Sequence, residues 1–225
     1  MTYYEIIGEI LSRVNDPLGD TYLERSKQLM FEGINMLAYG GDYIEEDIPG
    51  MLREAIVTQN TPNLTWEPEE DTELGGGKVL KILGITSTYR ADELSDPFPV
   101  YRYKRIDNEY LNKMHLDSEY EPLSNEVFYI INQSANNYTD PDGSAAEDLT
   151  GTTTVGIGFY PVSRIVDGDG VMITIKFIRS PKTSAWFYGT SSTDSTDASG
   201  YLSLPYIYKV IDYATVKLNQ EIAGA

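Results

Sequence analysis

The spacing of apolar residues changes along the chain, and the changes mark its regions. Up to about residue 60 the spacing is helical. Thr2-Tyr-Tyr-Glu5 has the form of a capping box, in which the Thr2 hydroxyl accepts from an amide of the first turn while Glu5 reaches back. Ile6, Ile7, Ile10, Leu11 and Val14 then fall on one face, and the helix should end near Asn15, ahead of Pro17. Thr21-Tyr-Leu-Glu24 repeats the capping pattern and opens a second helix. Its stripe is Leu29, Met30, Ile34, Leu37 and Ala38, and Gly40-Gly41 closes it. Asp47-Ile-Pro-Gly-Met-Leu predicts a third helix with Pro49 in its first turn and Met51, Leu52, Ala55 and Ile56 inward.

Beyond Thr61 turn residues become frequent and the period shortens. Glu67 to Glu73 places five acids in seven positions, an exposed loop that runs into Gly75-Gly-Gly77. Val79 to Thr86 predicts a strand. Val100 to Arg105, after Pro97-Phe-Pro99, alternates apolar or aromatic with basic residues and predicts a half-buried one. Asp107 caps a short helix to Leu116, and Val127 to Ile131 is again strongly β-prone. Residues 136 to 151 hold Asn-Asn, Asp-Pro and Asp-Gly and predict a long loop; 190 to 200 has the same polar character. Between them Val155 to Tyr160 reads as a strand stopped by Pro161. Asp167-Gly-Asp-Gly170 supplies hairpin-turn chemistry before the apolar run Val171 to Ile178, which Arg179-Ser-Pro181 ends.

Leu204-Pro205 opens a last helix whose Ile207, Ile211, Ala214, Leu218 and Ile222 form a core stripe. Tyr206, Val210, Tyr213 and Lys217 broaden it beyond what one neighbouring helix covers, so this helix is expected to pack on the N-terminal ones. The fold expected is α+β: a bundle of N-terminal helices (1–60) and the C-terminal helix (201–225), with an antiparallel β-region carrying long loops (61–200) inserted, in one domain overall.

Composition narrows the chemistry. Absent cysteine excludes disulfides and thiolate metal sites, and the single His115 excludes multi-histidine centres. His115 lies in a short helical turn with no partner in the sequence and reads as structural. No stretch approaches the roughly 18 apolar residues of a membrane span, and Met-Thr-Tyr-Tyr-Glu lacks the basic start of a secretory signal, so synthesis in the cytoplasm is expected. Seventeen basic against 35 acidic residues, net −18, is the wrong sign for gripping a phosphate backbone. The charge serves solubility, and in a ring through which DNA passed it would also keep the duplex from sticking.

Gly75-Gly-Gly-Lys78 is not a phosphate loop: Val79 stands where Ser or Thr is needed, and the earlier glycine is missing. Asp167 with Asp169, and Asp140 with Asp142, fall short of the convergent oxygens of a calcium loop. No Gly-x-Ser-x-Gly elbow occurs, and paired carboxylates carry no weight in so acidic a chain. No catalytic, cofactor or metal residue is nominated, and the chain is read as non-enzymatic. What remains is 18 tyrosines beside six phenylalanines and two tryptophans, which serve either interfaces or strand packing.

The order at the C-terminal end resembles the head–tail adaptor, or neck ring, proteins of tailed bacteriophages. It comprises a strand ending in Phe159-Tyr160-Pro161, a turn, a strand ending in Arg179-Ser-Pro181, a polar loop and the Leu204-Pro205 helix. The resemblance extends to the N-terminal helices; the stretch between Val127 and Val155 is longer than it leads one to expect. It implies a virion protein without cofactors that forms a ring of about twelve copies. Such a ring docks on the portal, links capsid to tail and lines the DNA exit channel without binding DNA specifically, and it is assembled in the host cytoplasm. Candidate interface residues are Asn136 and Tyr138 in the first long loop, Trp186 and Tyr188 before the second, and Tyr206 and Lys209 at the start of the last helix. Other expectations are another neck or tail-tube ring protein or, in a different class, a carbohydrate- or receptor-binding module with Trp186-Phe-Tyr188 as its stacking platform.

Overall fold

A computed structural model describes residues 1–16, 18–19, 21–41, 43–59, 63–66, 79–87, 101–133, 155–160, 171–180 and 201–224. The chain runs through α1 (Tyr3–Arg13), α2 (Leu23–Gly40), a 3-10 turn (Glu45–Asp47), β1 (Leu52–Gln59), β2 (Asn63–Trp66), β3 (Val79–Ser87) and β4 (Arg102–Arg105). It continues with α3 (Asn108–Leu116), a second 3-10 turn (Ser118–Tyr120), β5 (Glu126–Gln133), β6 (Val155–Tyr160), β7 (Val171–Arg179) and α4 (Leu204–Gly224). This is an α+β fold. Among the described residues no helix is long and apolar enough to cross a membrane.

The first capping box forms as the sequence predicts: Thr2 Oγ1 accepts from the Glu5 amide at 3.2 Å, and the Thr2 amide donates to Glu5 Oε2 at 2.8 Å. The second does not. Tyr22 is the N-cap of α2, and the amides of Thr21 and Tyr22 donate to the Asp16 carboxylate at 3.1 and 2.8 Å. A charged acceptor already in reach outcompetes a threonine hydroxyl. Gly41, left-handed at φ 85°, closes α2 as expected.

Two three-dimensional pairings overturn local readings. The segment expected to be a third helix is a single 3-10 turn followed by β1, which pairs antiparallel with β7 from Leu52↔Ile178 to Gln59↔Val171. Ile56, expected inward, is exposed, because on a strand Glu54, Ile56 and Thr58 share the outer face. The expected hairpin of β6 with β7 is likewise absent. β6 lies between β2 and β5, in a sheet ordered β2-β6-β5-β4, while β7 lies between β1 and β3 in the sheet β1-β7-β3. Both are interior strands whose two edges are taken by other partners. The turn residues between them, like the long loops at 136–151 and 190–200, lie outside the described residues. The β-region is also not wholly antiparallel: β4 runs parallel to β5, and α3 bridges the two.

Two cores share the three-stranded sheet. One face of that sheet, with Ile178, Leu52, Leu80 and Leu83, packs under the helices, where Ile6, Ile10, Leu29, Met30, Ile34, Ile211 and Leu218 are buried. The other face, with Ile82, Ile85, Ile173, Ile175 and Phe177, meets Trp66, Val127, Tyr129, Val155, Ile157 and Phe159 of the four-stranded sheet. α4 packs on both α1 and α2, as its wide stripe predicts. It runs antiparallel to α2: Tyr206 meets Ile34, Tyr213 meets Glu32, and Arg25 pairs with Glu221. Arg13 ties α1 to α4 through Asp212 at 2.6 Å.

Candidate interaction surface

Of the nominated residues, Asn136, Tyr138, Trp186 and Tyr188 lie outside the described residues. Tyr206 is not an interface residue. Its side chain is fully buried among α1, α2 and the sheet, and its hydroxyl donates to the Ile34 carbonyl at 2.7 Å. A phenol on the broad side of an amphipathic helix is swallowed when two helices cover that side, and a backbone carbonyl satisfies its one polar atom. Lys209 is exposed on the first turns of α4.

That end of α4 is held by a tie to the segment after α2. Ser203 caps the helix, its Oγ accepting from the Tyr206 amide at 3.3 Å and donating to Asp47 Oδ1 at 2.5 Å. The Ser203 amide donates to the Asp47 carbonyl at 2.8 Å, and the Gly50 amide donates to the Tyr201 carbonyl at 3.0 Å. The Ser203 hydroxyl, then the Ile44 amide, hold the Asp47 carboxyl below its ordinary value. Outward from this tie Leu204, Tyr208 and Val216 stand exposed at four-residue spacing, with Asp212 in the same row, giving α4 an apolar outer ridge as well as its buried face.

The chain has a second exposed feature at the opposite layer. β4 is an edge strand whose Arg102, Lys104 and Arg105 are exposed and take part in no ion pair among the described residues. Lys104 Nζ lies 5.6 Å from the Tyr110 ring centre and 5.5 Å from that of Phe128. Tyr103 points the other way, into the space between the sheets, where its hydroxyl donates to Gln59 Oε1 at 3.2 Å and burial pushes its phenol up to about 12. α3, which follows, has no fully buried residue and leaves Leu116 in solvent, as is Leu123 just beyond it.

Among the described residues no group of three or more His, Asp or Glu side chains is placed to hold a metal ion. His115 is exposed in the last turn of α3. The signal missed in the sequence was in β4: three cations in four positions read there as ordinary strand alternation, because nothing local shows that a strand stands at a sheet edge. No family model, curated protein or solved structure matches this chain.

Proposed function

We propose that this chain is a structural ring subunit, a head–tail adaptor of a tailed bacteriophage, which docks on the portal, links capsid to tail and lines the DNA exit channel. The observation that carries the reading is α4. It joins both N-terminal helices in one core, so that helices from the two ends of the chain hold the β-region, and it keeps Leu204, Tyr208 and Val216 on an outer ridge. A helix that needed only to close the fold has no use for such a ridge, whereas a helix that also meets a partner does. The element order leading into it resembles the adaptor proteins, and a net charge of −18 suits a channel wall that must let a polyanion slide.

The test is co-sedimentation of the chain with the portal ring of its virion, followed by electron microscopy. The expected result is a collar on the portal that Tyr208→Glu with Val216→Glu removes while leaving the melting temperature unchanged. A chain that ignores the portal, or a tight two-fold dimer in its place, overturns the reading, because a two-fold contact is self-complementary and does not propagate a ring.

A further inference from the structure

In a chain with two acids for every base, three neighbouring cations that share no carboxylate partner among the described residues stand out. Arg13, Arg25, Lys27, Lys113 and Lys176 each hold one. Arg102, Lys104 and Arg105 hold none among the described residues, and they stand together on the edge strand β4. Charged residues do blunt a sheet edge against unwanted strand pairing. Any charge serves that purpose, and acids were the commoner choice in this chain.

The opposite flank carries the complement. β4 lies beside β3, whose Ser87 Oγ accepts from the Tyr101 amide at 3.2 Å. β3 and β1 are the two edges of the sheet β1-β7-β3, so β1 marks the far side. There Lys176, on the strand paired with β1, donates to Glu45 at 2.6 Å and feels Glu54 and Glu46 as well. With Arg53 on β1 itself, two cations stand against Glu45, Glu46 and Glu54; Glu46 and Glu54 take part in no ion pair among the described residues, and exposed Ile56 adjoins them. One flank thus offers Arg102, Lys104 and Arg105 outside any ion pair among the described residues, with Glu126 opposite Arg102 across the β5 ladder; the other offers Glu46 and Glu54 with exposed Ile56.

We infer that the β4 edge of one copy of this chain docks on the β1 flank of a second copy, Arg102, Lys104 and Arg105 meeting Glu46 and Glu54. The contact is heterologous, one flank against the other, so it repeats from copy to copy. That the repeat closes into a ring rests on the adaptor reading; the contact itself does not. Like net charges do not forbid it: at physiological salt screening acts within about 8 Å, which damps repulsion between whole copies while pairs in contact keep their attraction.

The experiment is sedimentation of the full chain at physiological salt over a concentration series, with lysine–carboxylate crosslinking. Wild type is expected to give a concentration-dependent ladder. Arg102→Glu with Arg105→Glu, and separately Glu46→Lys with Glu54→Lys, should each weaken association at least about tenfold. Mixed, the two variants should form an alternating ladder, since unreversed flanks pair with unreversed and reversed with reversed; all four changes in one chain should restore the ladder as well. Arg102→Gln with Arg105→Gln stands in if a reversal fails to fold. Either variant associating like wild type overturns the contact, as does a wild type that stays monomeric and uncrosslinked throughout. Retention of single-stranded DNA by wild type but not by the β4 reversal, without self-association, assigns the edge to a polyanion and also overturns it. A chain that self-associates through these flanks yet ignores the portal sinks the adaptor reading alone, and one that collars the portal without copy-to-copy crosslinks at these residues sinks this contact alone.

Discussion

Gly50→Ala tests the tie between the two ends of the chain. A Cβ built on Gly50 stands 2.3 Å from Tyr201 Cδ1 and 2.6 Å from both the Cα and the Cβ of Tyr201. The ring carbon can swing away; the Cα cannot, so backbone must part from backbone by roughly 1 Å to restore ordinary carbon contacts. Overpacking of this kind costs about 1–3 kcal/mol. The same movement stretches the bond from the Gly50 amide to the Tyr201 carbonyl and the bond from the Ser203 amide to the Asp47 carbonyl, 3.0 and 2.8 Å long. Each is worth about 1 kcal/mol net. Alanine restricts the unfolded chain and returns about 0.4–1 kcal/mol. The net loss expected is about 2–5 kcal/mol, which for a chain of this length lowers the melting temperature by at least roughly 4 °C.

Gly8→Ala is the matched control, since an added Cβ meets nothing within 4 Å at this exposed position inside α1. It should stabilise by about 0.5–1 kcal/mol through helix propensity alone. Thermal melts of the two variants beside wild type give opposite signs if the tie is as described. A Gly50→Ala protein melting at or above wild type would show that residues 201–203 do not seat against residues 47–50.

Ile211 and Leu218 are buried in the helical core, so Ile211→Ala or Leu218→Ala should each cost about 2–5 kcal/mol in denaturant titrations, and a chain ending at Ser203 should be insoluble. A soluble, cooperatively melting truncation would make α4 an appendage. The Asp47 carboxyl sits below its ordinary value of 3.8 in the folded chain, so its contribution is complete above that value and is lost as pH falls through the lower folded one. Asp47→Asn should therefore flatten the acid limb of stability below about pH 4, measured as denaturant midpoint against pH, and an unchanged limb counts against the tie. Burial raises the Tyr103 phenol from 10.0 to about 12, so its contribution is full below pH 10 and is lost as pH climbs through 12. Tyr103→Phe should make the alkaline limb shallower and remove one late-titrating phenolate from the absorbance titration.

Local signals carried the elements they alone decide. The Thr2 box, the Gly41 stop, the Asp107 cap and the β-prone runs that became β3, β5, β6 and β7 were all legible, because a cap or a period is settled within a few residues. Residues 47–58 were not. Asp47, Pro49 and the spacing of Met51, Leu52 and Ala55 fit a helix start, yet Ala55-Ile-Val-Thr58 also fits a strand, and the decision came from β7, which offers a full antiparallel register far along the chain. The turn at 167–170 was read by its own chemistry, which cannot say that the strands on either side belong to different sheets. Tyr206 failed as a surface candidate for a related reason: a helical stripe shows which residues share a face, not how many neighbours cover it. The β4 cations were in plain view, but their meaning depends on the strand being an edge.

β7 explains why these non-local decisions come as a set. Neighbours on a strand point to opposite faces, so Phe177 enters the core between the sheets and Ile178 enters the helical core. One interior strand thus feeds both cores, and neither can form its share of β7 without ordering the other. β1 is recruited on one side of it and β3 on the other, which puts β4, beside β3, on the flank away from β1. The strand that unites the cores therefore also sets apart the two charged edges of the molecule. A hairpin of β6 with β7 would have put them in one sheet and left β7 no room to pair with both β1 and β3, and with that pairing lost the cationic and acidic flanks would have had no fixed opposition.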